Sequence, residues 1–377
     1  YEIPDERGIE TAHERTVEGP DGKTGMGPVD TEYILTVGFL TKEDSLWAQK
    51  GHEIAYEQFI IPCEYKAPCI PGMSCENTAA CPGIDAIALK DEETCFIIEG
   101  QNFAVKFNKA NGNLESYRYH GHEILKNTPV PNFWRAVTDN DRGNGHPARC
   151  GVWREAGEKR ELRSLTVERS DGRIEVKQVY TFANMVSKSA ETYLFVNYTV
   201  HGGGEIGIRM KLAPGEGLPE IPEIGMMFIL DKSFEDITWY GRGPHDNYWD
   251  RNCGARIGIY EDKVQNQFVP YLRPQECGNK TDVRWAKISG SNGIEIKFIG
   301  EPVFEMNALP YTPFELEACD HPYKLPESDK VVLRINYRQM GVGGDDSWGA
   351  RTHPDFTLYA NRIYEYSFKL VPIYRQK

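Results

Sequence analysis

Four polar, glycine-rich stretches hold the residues of this chain whose types and spacing could do chemistry. The first is Asn132-Phe133-Trp134-Arg135-Ala136-Val137-Thr138-Asp139-Asn140-Asp141-Arg142-Gly143. The second runs from Trp239 to Arg251 and the third from Pro270 to Trp285. The fourth is Gln339-Met340-Gly341-Val342-Gly343-Gly344-Asp345-Asp346-Ser347-Trp348. Each mixes Trp or Tyr with Arg, Asp, Asn or Glu, a composition suited to sugars. Carboxylates, amides and Arg bind hydroxyls, and aromatic faces cover patches of C–H. Each stretch alone equally suits a structural role, with Arg–Asp pairs tying loops and buried Trp N–H groups finding acceptors. In the fourth stretch, three glycines in four residues let the backbone take positive φ and pass close to a neighbour. Read locally, it is either a hairpin with a packed Trp348 or an aromatic platform at a ligand site.

Other chemistries fit less well. Asp139-Asn140-Asp141 and Asp345-Asp346 offer hard oxygen ligands without the spacing of a known calcium loop. His120-Gly121-His122 puts two imidazoles on one face of a strand without a third ligand, and reads as a surface or edge feature. No nucleophile elbow, phosphate-cradling loop or dinucleotide fingerprint is present. Retaining glycoside hydrolysis needs two carboxylates about 5–5.5 Å apart, and nothing in the sequence singles out such a pair. Cys63, Cys69, Cys75 and Cys81 recur every six residues in a segment lacking His. Zinc sites use closer pairs, so metal binding, disulfides and free thiols all stay open.

The elements that must position these loops are strands. Tyr33–Leu40 and 55–61 read as two of them, and Phe103, Val105 and Phe107 alternate before a turn at Ala110-Asn111-Gly112-Asn113. Leu114–Tyr119 continues that hairpin. Alternation recurs over Ile174–Phe182, Ile206–Leu212 and Tyr364–Leu370, with further strands expected at Tyr193–Val200, Met226–Leu230, Glu295–Phe298 and Phe356–Tyr359. Strong helical periodicity and internal repeats are absent. The prolines at 62, 68, 71 and 82 mark a connector over 63–95, between a first region, 1–62, and a domain over 96–377. So many strands in about 280 residues imply a large antiparallel sandwich. The net charge of -13 argues against nucleic acid and anionic membrane as partners. No apolar run approaches the roughly 20 residues that cross a bilayer. The composition is that of a soluble protein, for which cytoplasm and periplasm both stay open. A chain that starts at Tyr1 reads as a piece of a longer polypeptide.

The four stretches resemble the C-terminal domain of the large bacterial β-galactosidases of glycoside hydrolase family 2. The matching pieces are Phe133-Trp134-Arg135-Ala136 with Asp139-Asn140-Asp141, then Tyr240-Gly241-Arg242-Gly243-Pro244 with Asn247-Tyr248 and Asp250-Arg251. Arg273-Pro274-Gln275-Glu276 with Gly278-Asn279 and Thr281–Trp285 follows, and Met340–Trp348 completes the set. They span about residues 96–375 in family order. Tyr33–Pro62, with Gly51-His52-Glu53-Ile54-Ala55, resembles the last strands of the immunoglobulin-like domain preceding it.

The resemblance implies an all-β fold, a galactose mutarotase-like supersandwich preceded by part of an immunoglobulin-like domain. It implies a β-galactoside substrate and an enzyme that is commonly a homo-oligomer. The catalytic Glu residues and the Mg²⁺ and Na⁺ sites belong to a (β/α)8 barrel, for which this chain has no room. It also lacks the Asn-Glu dipeptide of the family's acid/base. No catalytic residue, metal ligand or cofactor is therefore expected in this chain, and the barrel of the same polypeptide is its expected partner. By the resemblance, Trp348 reaches the active-site mouth and packs against the sugar or aglycone. A loop at Gly143, Asn144, Gly145 and His146 lies near that mouth. Arg135, Asp139, Asn140 and Asp141 support it from behind, with Asp345 and Asp346 supporting Trp348. The alternatives are a stand-alone mutarotase-like isomerase using His245 and Glu276, and a carbohydrate-binding or assembly module.

Overall fold

The computed structural model describes residues 32–61, 87–170, 172–182 and 191–375. The chain divides into two compact units, Tyr1–Ala79 and Ala80–Lys377. In the first, β1 (Tyr33–Leu40) pairs antiparallel with β2 (Glu53–Ile61), Tyr33 opposite Ile61. Cys63, Cys69, Cys75 and Cys81 fall outside the described residues. The larger unit's strands begin by residue 88, inside the connector expected over 63–95.

That unit opens with β3 (Ala88–Asp91), β4 (Cys95–Glu99), β5 (Phe103–Asn108), β6 (Leu114–Tyr119) and β7 (His122–Glu123), a five-stranded antiparallel sheet in sequence order. Then come β8 (Leu125–Asn132), two short helices, α1 (Asp139–Gly143) and α2 (His146–Cys150), and β9 (Arg160–Ser170). Strands β10 (Arg173–Phe182), β11 (Tyr193–His201), β12 (Ile206–Ala213), β13 (Glu223–Asp231), β14 (Asp236–Gly243), β15 (Arg256–Lys263), β16 (Lys280–Ser289) and β17 (Ile294–Leu309) follow. Helix α3 (Pro313–Ala318), β18 (Lys330–Gln339) and β19 (Tyr364–Tyr374) end the chain. Twelve strands form one antiparallel sheet, ordered β15-β14-β16-β17-β19-β12-β11-β10-β9 with a branch of β18, β13 and β8. The fold is all-β, as the alternation predicts.

The branch positions the candidate site. Sixteen residues long, β17 pairs through Ile294–Glu301 with β19 and then through Glu305–Leu309 with β18. One face of the branch packs Phe228, Leu333 and Ile335 into the main apolar core. Its other face, with Arg334, Asn336, Glu305 and Asn307, is buried too, near a small cluster of Ala136, Cys277, Leu309 and Leu316. Side chains alternate across a strand, so a polar row is enclosed wherever loops cover the second face.

Two expectations fail here. Residues 356–359 form no strand: a 3-10 turn at Pro354–Phe356 ends the run, because Pro354 and Asp355 favour its start. The stretch at 339–348 is no hairpin either, since β18 and β19 do not pair with each other and instead pair with successive segments of β17. His120, at φ 47°, makes the turn from β6 to β7 and stacks on Tyr374 at 4.4 Å.

Candidate functional site

Beneath the fourth stretch lies a layer of buried charge. Arg334 donates to Glu223 Oε2 at 2.5 Å and to both oxygens of Glu276 at 2.6 and 2.8 Å. Asn132 Nδ2 donates to Glu223 Oε1 at 2.5 Å. Gln339, the last residue of β18, donates its side-chain amide to Glu276 and Asn279 and its backbone N–H to Glu305 at 3.0 Å. Burial pushes the Glu223 carboxyl up against the opposing charge of Arg334, and pushes Glu305 up to about 7. Burial also works against the Arg334 charge, but Glu223 and Glu276 outweigh it and raise its pKa. The signal for this layer lies in Val332-Leu333-Arg334-Ile335-Asn336, a strand whose Arg and Asn interrupt an apolar run. Sequence reasoning passed over Arg334 and Glu223 because alternation does not reveal that the polar face is covered.

The loop rising from this layer is held peptide by peptide. Arg135, fully buried, donates to the Met340 carbonyl and to the Gly341 carbonyl at 3.1 Å. Thr352 Oγ1 also donates to the Gly341 carbonyl, at 2.9 Å. Asp250 accepts from Val342 N at 3.0 Å and from Gly343 N at 2.8 Å, and Asn140 Nδ2 donates to the Val342 carbonyl at 3.1 Å. Beyond Gly344 the support becomes local: Asp346 Oδ1 accepts from Trp348 N and Ala350 N at 2.9 and 3.0 Å. Those two bonds hold the Asp346 carboxyl below the usual range, the Ala350 bond first. Asp345 pairs with His353 at 2.5 Å across the outside. Trp348 is 92% exposed, so the packed-Trp reading fails. Its indole stands in solvent on a fixed support.

The segment at 139–146 meets this loop from below. Thr138 and Asp141 form a reciprocal cap on α1, and Asp141 accepts from Arg135 at 3.1 Å. Burial alone would raise the Asp141 carboxyl, but the charges of Arg135 and His146 and the bonds it accepts hold it low. Asp139, exposed, pairs with Arg142 and exchanges two bonds with Gln275. A Cβ at Gly349, where φ is +98°, would lie 2.9 Å from the Gly143 carbonyl oxygen, so the two loops are in backbone contact. Four of the residues expected to support a mouth are thus brought together: Arg135, Asn140, Asp141 and Asp346. The 143–146 loop, however, is tighter than expected. Gly143 ends α1 and His146 begins α2, leaving Asn144 and Gly145 between them. His146 turns inward, its ring tilted against Trp134 at 5.3 Å with neither ring nitrogen hydrogen-bonded. Burial lowers its pKa to about 4.

The carboxylates of this rim are all engaged, Asp141 by Arg135, Asp250 and Asp346 by backbone N–H groups, and Asp345 by His353. Among the described residues no group of three or more His, Cys, Asp and Glu could hold a metal ion. His245 is exposed, whereas Glu276 is buried and doubly bonded to Arg334. Both Glu276 oxygens are committed, which makes it a poor base for an isomerase. The arrangement can present an aromatic face to a ligand.

Comparison with known proteins gives this geometry its family. Residues 99–370 match the beta galactosidase small chain family, and residues 2–62 match beta-galactosidase domain 4. The chain belongs to the beta-galactosidase small-chain family. It is 46% identical over 342 residues to a beta-galactosidase of Priestia megaterium, covering 91% of this chain and 32% of that one. A beta-galactosidase small subunit of Latilactobacillus sakei is 30% identical over 301 residues, 72% of this chain and 94% of that one. The chain spans about a third of the first relatives' length, 32% in each case. Among solved structures, a galactose 1-epimerase from Lactobacillus acidophilus matches with a TM-score of 0.43 at 9% identity, over 77% of this chain and 99% of that one. No residue role is carried over from it.

Proposed function

We propose that this chain is the non-catalytic C-terminal part of a β-galactosidase and that Trp348 forms an aromatic wall of its active site. The observation that carries this reading is an indole 92% exposed to solvent on a loop whose backbone is held by Arg135, Thr352, Asn140 and Asp250 and closed locally by Asp346. Exposing a large apolar ring on a rigid element lowers the entropy cost of packing it against a sugar or aglycone. The catalytic carboxylates, together with the Mg²⁺ and Na⁺ that the family resemblance implies, belong to the barrel of the same polypeptide. The rim's own carboxylates are bound to protein donors and unsuited to hold those ions. Assembly into a homo-oligomer is part of the same proposal, for the enzyme as a whole.

The test is to reconstitute this chain with the remainder of the polypeptide and measure nitrophenyl-galactoside hydrolysis. The chain alone should show none. Trp348→Ala should lower kcat/KM at least about tenfold, or about 1.4 kcal/mol of transition-state binding. An unchanged kcat/KM would overturn the role of Trp348, and hydrolysis by the chain alone would overturn the non-catalytic assignment.

A further inference from the structure

We infer that Asp250 positions Trp348: its carboxylate clamps the backbone of the loop and so sets where the indole stands. This deepens the reading of Trp348 as a substrate-facing wall and rests on it for its functional meaning. The placement itself is a property of this chain.

Asp250 lies in a tight turn between β14 and β15, where Tyr248 and Arg251 bond each other's backbones at 3.1 and 2.7 Å. From there its two oxygens reach two consecutive N–H groups, one each, at Val342 and Gly343. An acceptor-only group with two oxygens matches two adjacent donors. Gly341 keeps the approach open, since a Cβ there would lie 2.6 Å from both Cγ and Oδ2 of Asp250. The other holds on this backbone, from Arg135, Thr352 and Asn140, all grip carbonyl oxygens. Among the contacts described, Asp250 is the one side chain from outside the loop that holds its N–H groups. Past Gly344 the turn is closed by Asp346 within itself and rests on Gly143 through Gly349, so the 342–343 backbone sets the indole's position from the side where the loop leaves β18. Arg135 could share this role, but it also serves the buried pair with Asp141, so replacing it disturbs the layer below. Asp250 is half-buried and outside that layer, which makes its contribution separable.

A purely structural tie would change stability alone, whereas a positioning residue changes the environment of Trp348. The chain has seven tryptophans, so it can be labelled with 5-fluorotryptophan and read by ¹⁹F NMR, with Trp348→Phe assigning the resonance. Asp250→Asn turns an amide N–H2 toward one of the two donors, and Asp250→Ala removes both acceptors. Both should shift or broaden the Trp348 resonance and speed amide exchange at Val342 and Gly343 by about tenfold or more. Trp249, adjacent to the substitution, is set aside. The resonances of Trp47, Trp134, Trp153, Trp239 and Trp285 should stay in place. An unmoved Trp348 resonance in both variants overturns the proposal, as does movement of those five together with it. In the reconstituted enzyme, Asp250→Asn should lower kcat/KM about as much as Trp348→Ala and add less than about twofold to it in the double variant. If Trp348→Ala has no effect while the ¹⁹F shift stands, the wall reading fails and the positioning survives. If Trp348→Ala is impaired and Asp250→Asn is not, the positioning fails.

Discussion

Two side-chain contacts to carboxylates in this chain have the same closest approach and opposite physical characters. Arg334 and Glu223 meet at 2.5 Å with side chains 1% and 0% exposed, while His353 and Asp345 meet at 2.5 Å with side chains 64% and 57% exposed. In the interior neither partner can exchange the other for water, so removing one leaves an uncompensated charge. At the rim water replaces either partner cheaply. Distance alone therefore says little about what a pair contributes. The inner pair sits where the loop leaves the sheet, through Gln339 and its bonds to Glu276 and Glu305. The outer pair sits beside Trp348, where a ligand can compete for contact. On the proposed function, stability belongs to the inner region and recognition to the outer one.

The strongest way to break that division is Arg334→Met. It strands Glu223 and Glu276 in the interior and should cost about 3–5 kcal/mol in urea unfolding. Adding Glu223→Gln and Glu276→Gln should restore much of the loss, because no buried charge then remains unpaired. A loss under about 1 kcal/mol for Arg334→Met would mean that the ion pair does not hold the layer.

Next in size is an acid effect from His146. Its folded pKa of about 4 lies below the ordinary value of 6.5, lowered first by burial, with Asp141 opposing that and Arg135 and Arg149 adding to it. The folded state therefore binds the proton more weakly than the unfolded chain does. The contribution of His146 is intact above its unfolded pKa and is lost as pH falls from about 6.5 toward about 4. Replacing His146 with Phe keeps a ring against Trp134 and removes the titration. Between about pH 7 and pH 4.5, wild type should lose about 2 kcal/mol more stability than His146→Phe. Equal losses would show that His146 is solvated or paired in the folded protein.

These two residues also mark where the sequence was legible. Alternation identified Ile174–Phe182, Ile206–Leu212 and the Tyr364–Leu370 face, because period two is a local property of each strand. Local glycine and carboxylate chemistry likewise marked 339–348 as a loop. Burial depends on what covers a face from far along the chain, and there local reading failed. Arg334 lies in a strand whose second face is closed by loops more than fifty residues away, such as the one bearing Glu276. His146 was grouped with an exposed loop and is buried, whereas Trp348 read locally as packed and is exposed. The family resemblance pointed Trp348 outward where periodicity could not.

Trp348→Ala tests the division from the other side. It should leave urea unfolding within about 0.5 kcal/mol of wild type, since the exposed indole has little to lose, while lowering kcat/KM in the reconstituted enzyme as proposed above. A stability loss near that of Arg334→Met would place Trp348 in the inner region after all.

The smallest expected effect belongs to Asp345→Asn. The pair with His353 spans the outside of a turn that Asp346 already closes through Trp348 N and Ala350 N. Losing it should cost about 0.5 kcal/mol of stability or less in urea unfolding. Its effect on kcat/KM should stay under about threefold, because the Asp250 and Arg135 contacts that set the loop remain. If Asp345→Asn instead matched Trp348→Ala in the reconstituted enzyme, the outer pair would be fixing the wall. The indole would then be held from the solvent side, by a contact open to water, and the inner layer would determine only where the loop begins.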